Sequence, residues 1–484
     1  MKSAVTKRLG AFIEHRIAMP VLSLLILLLA AATRFINLAN PRTLVFDETY
    51  YVKDAYTLGK FGYEKQWPED ANLSFEAGDL DVYLDAGSYV VHPPFGKWLI
   101  WLGLDVFGAN SGLGWRFATA LAGVISVGLV ILIARRLTGS HLFGNLAGLL
   151  LALEGTSIVL SRTAILDGLL TMMVLLGLYL LLVADSALLR RANRVGRLRI
   201  WVQPWLLVVG VAMGLAASVK WSALYVLAGF GLYTFFSELK ARSNLGQSSL
   251  GALGQGFINA ITLLVPALAA YVASWFGWIA TDGGWGRNDK STWWEALWAY
   301  HQNAYSFHTG LSSEHPYQAN AFEWLLSLRP TAFFFERYYE DPICGPLGDC
   351  TVAITTIPNL VVWFGGLLAI IWLIRRALLG ERAAMLVVLG FLATWGPWVI
   401  YLNRTVFQFY TVLITPFVVL ALALAAHHYW RRGIWMRQVE TRERRIWLLV
   451  IATVVVAGYF MSIWMGLPVP HWVWRIQMLL PIWV

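Results

Sequence analysis

Hydrophobic and polar positions along this chain alternate on the scale of a membrane, not of a strand or a half-buried helix face. Runs of about 20 apolar residues, the length a helix needs to cross the hydrocarbon core, recur between short polar connections. Eleven such runs are centred near residues 28, 126, 151, 174, 212, 229, 268, 365, 392, 416 and 456. The run after His92, FGKWLIWLGLDVFG, is too short to cross and is interrupted by Asp105, so it reads as a helix lying on the membrane surface. The pattern predicts an all-α integral membrane protein: one polytopic domain over 1–484, with no separate soluble domain. Two long polar stretches break the alternation, at 39–114 and roughly 281–355.

Composition agrees with the pattern. The chain is 58% hydrophobic and 13% charged, far from the roughly 25% charged of a soluble domain, and its mean hydropathy is +0.60. No Walker loop is found, nor a GxGxxG between a strand and a helix, so nucleotide chemistry is not expected. The net charge of +9 is an orientation signal. If the N-terminus is cytoplasmic, 22 of the 37 Lys and Arg fall on the cytoplasmic side with only 6 of the 28 acids. The basic connections are short and dispersed, which excludes a nucleic-acid surface. The two long stretches then face outward as loops of a plasma-membrane protein. Lys2, Lys7 and Arg8 before an apolar run ending LAAA also fit a signal peptide, but the 18-residue polar lead is long for one, and acids so soon after the run favour a retained anchor.

Candidate chemistry collects in those outer loops. The stretch LVFDETYYVKD places Asp47 and Glu48 about a dozen residues past the first apolar run. Acids can simply open an interfacial helix, where they suit the positive end of its dipole. Here they have company: His92 and Lys97 in VHPPFGKW, Arg116 in GWRFA, Arg162 and Asp167 in LSRTAILDG, and Lys220 in ASVKW. Charges at membrane depth are costly and usually face a polar cavity, so several at one side point to a shared one. Each also has a plainer reading. Arg116 and Lys97 can snorkel to lipid phosphates, His92 before Pro-Pro can order its loop, and Asp167 can pair with Arg162. The WW at 293–294 reads as an interfacial anchor.

The ordered set FDETYY, HPPFGKW, GWRFATALAG, SRTAILDGLL, GLAASVKW and HPYQANAFEWLL resembles the protein O-mannosyltransferase family, in particular its actinobacterial branch. The resemblance covers about residues 44–330. It implies a GT-C type membrane glycosyltransferase with about 11 transmembrane helices that uses a polyprenyl-phosphate sugar. It also implies that Asp47 matches the catalytic acid of the family's DE pair. Two departures stand out. The large outer domain of eukaryotic members is absent, and ANAFEW follows HPYQ where a Ser and a Pro-Trp are expected, which touches the acceptor contacts expected around His315 and Tyr317.

The chemistry can be argued alongside the resemblance. A lipid donor explains an active site among helices at the interface, and a phosphate-activated sugar needs no nucleotide site. A Ser or Thr hydroxyl needs a base, the expected role of Asp47. The departing phosphate needs cations, with Arg116, Lys97, Arg162 and Lys220 as candidates in that order. Glu48 would hold an Arg or a sugar hydroxyl. His92, His315 and Tyr317 are substrate-binding or loop-ordering candidates. Expected partners are polyprenyl-phosphate mannose, Ser/Thr-rich segments of secreted proteins and, as an open point, the export channel. No cofactor is required and no metal site is assigned; a divalent cation on Asp47 and Glu48 is left open, since adjacent acids are a poor ligand set. A related transferase acting on a glycan or lipid, and a transporter, are the alternatives. Cys344 and Cys350 in EDPICGPLGDC share an outward loop whose compartment permits disulfides; intervening Gly and Pro can turn the chain back, so a bridge is expected.

Overall fold

The computed structural model describes residues 18–431 and 436–484. The lead with Lys2, Lys7 and Arg8 lies outside the described residues, as does part of the last basic connection. The helices in chain order are α1 (Ala18–Phe35), α2 (Glu48–Phe61), α3 (Ala71–Ala77), α4 (Phe95–Phe107), α5 (Gly112–Thr138), α6 (His141–Ala152) and α7 (Gly155–Ser161). Then come α8 (Leu166–Val195), α9 (Pro204–Ala217), α10 (Ala223–Asn244), α11 (Leu250–Ser274), α12 (Phe276–Ala280), α13 (Trp293–Gly310) and α14 (Ala321–Leu326). A strand pair, β1 (Ala332–Tyr338) and β2 (Cys350–Thr355), precedes α15 (Leu360–Leu378), α16 (Arg382–Trp395), α17 (Thr415–Arg431), α18 (Met436–Met465) and α19 (His471–Gln477).

Among the described residues seven helical segments are long and apolar enough to cross a membrane: α1, α5, α8, α11, α15, α16 with its extension to Val399, and α18 from Val439. Exposed apolar side chains run down their outer faces, as Phe257, Ile261, Leu264, Val265 and Leu268 do on α11, a surface that suits lipid and not water. The count is eight if α6 and α7, bent by 65° at their junction, are taken as one span, against the eleven expected. The difference has a physical source. The expected runs near 212 and 416 fall in α9 and α17, of 14 and 17 residues, and the run near 229 falls in α10, whose end carries Glu238, Lys240 and Arg242.

At the α6–α7 bend, side chains satisfy the exposed backbone groups. Arg34 donates to the Leu151 and Ala152 carbonyls, and Glu154 accepts from the Ser157 and Asn359 amides, as groups without water require. Elsewhere helices touch through glycine. A Cβ at Gly210 or Gly214 of α9 would come within 2.4 or 2.1 Å of a carbonyl oxygen of α11, so GVAMG allows a backbone approach that larger residues forbid.

The run after His92 forms α4, of 13 residues, with Asp105 exposed. The loops at 39–114 and 281–355 pack on each other at one end of the bundle. The Tyr300 hydroxyl accepts from the Val90 amide and donates to its carbonyl, and the Trp98 indole donates to the Ser274 carbonyl. Basic side chains sit at the other end of the same helices, Arg242 on Glu238 and Arg382 on Asp185; the 30 residues of α8 separate the two ends by about 45 Å. One departure from an all-helical expectation lies here. AFFFERY and CTVAIT pair as antiparallel strands, their aromatic and β-branched residues suiting a pleated surface.

Cys344 and Cys350 form a disulfide across the turn from β1 to β2. Replacing both with Ser should cost about 2 kcal/mol of stability, the figure for so small a loop, read as a lower melting temperature with transfer activity retained in part. Labelling of both thiols in native, unreduced protein would contradict the bridge.

Candidate functional site

The site forms where α2 starts. Phe46 takes a left-handed conformation, φ +50°, costly for a residue with a Cβ. Its ring holds it there, packed against Phe333 at 4.9 Å and edge-on to Phe407, Phe409 and His315. The turn delivers the next two residues to opposite fates.

Glu48 is fully buried, and both of its oxygens are used. Oε1 accepts from Arg116 Nε (2.8 Å) and the Ala164 amide (2.7 Å), and Oε2 from Arg116 Nη2 (2.8 Å) and the Val45 amide (2.9 Å). Arg116 also donates to the Leu38, Pro41 and Thr43 carbonyls. All five of its N–H donors are therefore spent inside the protein. Asp47 begins α2 without capping it, and among the described residues its carboxylate accepts no hydrogen bond and joins no ion pair. Burial raises it from 3.8 to about 6, with Lys220 pulling it down and Asp167 pushing it up.

The other candidates divide the same way. Arg162 is buried with Nη1 on the Thr33, Arg34 and Ile36 carbonyls and Nη2 on those of Asn37 and Met465; it caps the end of α1 and does not pair with Asp167. Lys97 is 1% exposed, bound to Glu64 and 3.9 Å from Asp54. Lys220, by contrast, opens onto a cavity of about 310 Å³, with its ammonium on Asp167 at 2.6 Å. His92 lines the same cavity, stacked on His308; burial and then the Lys220 charge hold it well below its usual range. His315 stands beside Phe46, its Nδ1 accepting from the Tyr317 amide, while Tyr317 lies against Arg329. Among the described residues no three His, Cys, Asp or Glu side chains are grouped to hold a cation.

Sequence reasoning missed the cavity's second cation. Arg404, in LNRTVFQFY, donates from Nε to the His308 carbonyl and from Nη2 to His308 Nδ1 (3.2 Å). His308 Nε2 lies 2.9 Å from the Val91 carbonyl, so that nitrogen carries the proton and Nδ1 accepts. Burial keeps this ring neutral, at about 4. Nη1 of Arg404 has no partner among the described residues. An Arg stranded between two apolar runs was the available signal. Tyr410 completes this wall, its ring 5.0 Å from the Lys220 ammonium. The result is a cavity lined by two cations, Lys220 and Arg404, with the unpaired Asp47 carboxylate near enough to feel the charges of Lys220 and Asp167.

The whole fold has solved counterparts. The S. cerevisiae Pmt1–Pmt2 complex bound to the sugar donor matches with a TM-score of 0.72 at 13% identity, over 97% of this chain and 93% of that one. ArnT from Cupriavidus metallidurans bound to undecaprenyl phosphate matches at 0.54 and 16%, over 92% and 76%. The fold is that of a multi-pass GT-C membrane glycosyltransferase. The sequence profile described as dolichyl-phosphate-mannose-protein mannosyltransferase fits residues 24–275. The polyprenol-phosphate-mannose–protein mannosyltransferase of Mycolicibacterium smegmatis is 32% identical over 94% of this chain and 91% of its own, and that of Mycobacterium tuberculosis 31% over 95% and 91%. The chain belongs to the dolichyl-phosphate-mannose–protein mannosyltransferase family.

The saturated donors of Arg116 make it a measure of structure. Arg116→Ala strands the Glu48 carboxylate in a dry site and should cost 3–5 kcal/mol, the range for a broken buried pair, with a clear drop in melting temperature. Equal melting temperatures for this variant and the wild type would contradict the role.

Proposed function

We propose that the chain transfers mannose from polyprenyl-phosphate mannose to Ser and Thr hydroxyls of exported proteins. The work takes place at the outer face of the plasma membrane, with the N-terminus cytoplasmic. The observation that carries the reading is the unpaired Asp47 carboxylate beside a cavity holding Lys220 and Arg404. Family membership and the relatives' names support the donor and acceptor classes.

Asp47 takes the proton of the acceptor hydroxyl as its oxygen bonds to the sugar C1. The bond from C1 to the phosphate oxygen breaks with its electron pair, and the polyprenyl phosphate leaves. One displacement inverts C1, from a β-linked donor to an α-linked product. Lys220 and the free Nη1 edge of Arg404 hold the leaving phosphate, a role suited to a guanidinium. Arg116, Arg162 and Lys97 act at one remove: they fix the loops that carry Asp47. Glu48, through Arg116, does the same.

Membranes given labelled polyprenyl-phosphate mannose and a Ser/Thr/Pro/Ala-rich peptide should label the peptide; labelling of a glycan or lipid acceptor alone would overturn the reading. Asp47→Asn should cut turnover at least about 100-fold with donor binding intact, and retention of more than about a tenth would remove Asp47 as the base. Lys220→Met and Arg404→Met should raise KM for the donor about 10-fold or more and leave that for the peptide unchanged; a shift in the peptide KM alone would contradict the phosphate role.

The raised Asp47 also sets a pH dependence. Below about 6 the carboxyl holds its proton and cannot accept another. kcat/KM should fall by about tenfold per pH unit on the acid side, and a limb near 4 would contradict it. The stability sign is opposite. The folded state holds this proton more tightly than the unfolded chain, so Asp47's contribution is present at low pH and lost as pH rises from 3.8 through about 6.

A further inference from the structure

Polar groups around this cavity are nearly all spoken for, which gives meaning to those that are not. Glu48, Arg116, Arg162 and Lys97 are paired off, Asp167 holds Lys220, and His308 holds Arg404. Besides Asp47, the hydroxyls of Tyr51 and Tyr410, and those of Ser222 and Tyr305 on the cavity wall, have no hydrogen-bond partner among the described residues; of these only Tyr51 stands on the helix turn that carries Asp47. Tyr410 is accounted for by position, since it lines the cavity at the Lys220–Arg404 wall.

Tyr51 is different. It lies four residues after Asp47, its amide donating to the Asp47 carbonyl at 3.1 Å, so the two side chains share one face of the first turn of α2. Its ring is tilted at 6.2 Å against His92, which lines the cavity, and packs against both large apolar clusters of the protein. A phenol ring held this firmly leaves its hydroxyl little freedom. The charged groups that bear on it are Asp47, Asp167 and Asp54, with Tyr410 beside them and no cation among them. Burial and those anions keep it protonated and a donor. On the mannosyl-transfer reading the leaving phosphate takes the Lys220 and Arg404 cations, and the sugar takes the space toward Asp47. Tyr51 is half-buried, and a donor that the protein leaves without a partner is available to a ligand.

We propose that Tyr51 is a specificity-determining residue whose hydroxyl hydrogen-bonds a hydroxyl of the transferred sugar beside the carbon that Asp47 serves. The assignment rests on the mannosyl-transfer reading. Tyr51 orients the ring through that bond and takes no part in moving the proton. Because the site is built around a hydrogen bond, a sugar lacking the matching hydroxyl leaves the phenol unpaired and is discriminated against.

The test crosses one substitution with a set of donors. Wild type and Tyr51→Phe are assayed with polyprenyl-phosphate mannose and with its 2-, 3-, 4- and 6-deoxy analogues, on one Ser/Thr peptide. Phe keeps the ring packing, and melting temperatures check that the variant folds. With the mannosyl donor Tyr51→Phe should lose about 10-fold in kcat/KM, the order expected of one hydrogen bond, with no change in KM for the peptide. With one deoxy donor, and one only, the two proteins should be equal, since the bond is already missing. An equal loss on every donor would overturn the proposal and leave Tyr51 a packing residue; no loss on any donor would overturn it too. If wild type transfers no mannose to the peptide from any donor, the mannosyl-transfer reading fails first, and the comparison separates the two failures.

Discussion

The structure around the site depends on one buried ion pair. Glu48 and Arg116 meet through two parallel hydrogen bonds at 2.8 Å, with 0% and 1% of their side chains exposed. Neither charge could stay in such a place alone. The pair ties four segments together: the start of α2, the first turn of α5, the loop carbonyls of Leu38, Pro41 and Thr43, and the Ala164 amide before α8. Through this knot the 39–114 loop is fixed to the bundle, and Asp47, one residue away, inherits a fixed place without a partner of its own among the described residues.

The same contrast separates charges whose bonds are all made from those with capacity left. Arg162 spends five hydrogen bonds on carbonyls at the ends of α1 and α18, and Lys97 is enclosed by acids of the first loop. A cation with its donors exhausted cannot also grip a phosphate. Lys220 and Arg404 keep donors free, and Asp47 keeps both oxygens free, because their neighbours hold them from behind: Asp167 for Lys220, His308 for Arg404, the Phe46 ring for Asp47. Site groups supported by others already in place lose less on binding.

Much of this was legible in the chain. The membrane setting, the helical architecture, the two loops and the family motifs can be read in order from the residues. The DE pair could be singled out, but which of its two acids stays free could not, since Asp47 and Glu48 differ in position by one residue and in environment by everything Phe46 does. Which cations have their donors occupied was not legible either. Arg116 stands first among the expected phosphate ligands because it opens a helix after the 39–114 loop, and Arg404 drew no notice because it lies 357 residues from Asp47 in the chain. The strand pair was hidden by the same limit: AFFFERY alone reads as one more apolar fragment until CTVAIT is beside it.

What the sequence determined by itself is what depends on local composition: which segments enter lipid, which loops are long, which side the basic residues favour, and which motifs occur in what order. Each follows from transfer of a short segment between water and hydrocarbon, which needs no knowledge of neighbours. Only the tertiary structure decided which charges are paired. Pairing is a matter of distance between residues far apart in sequence, such as Glu48 with Arg116, Asp167 with Lys220, and His308 with Arg404. In a dry interior that pairing fixes whether a charge holds the fold or waits for a substrate, because a buried polar group without a partner is costly unless a ligand completes it.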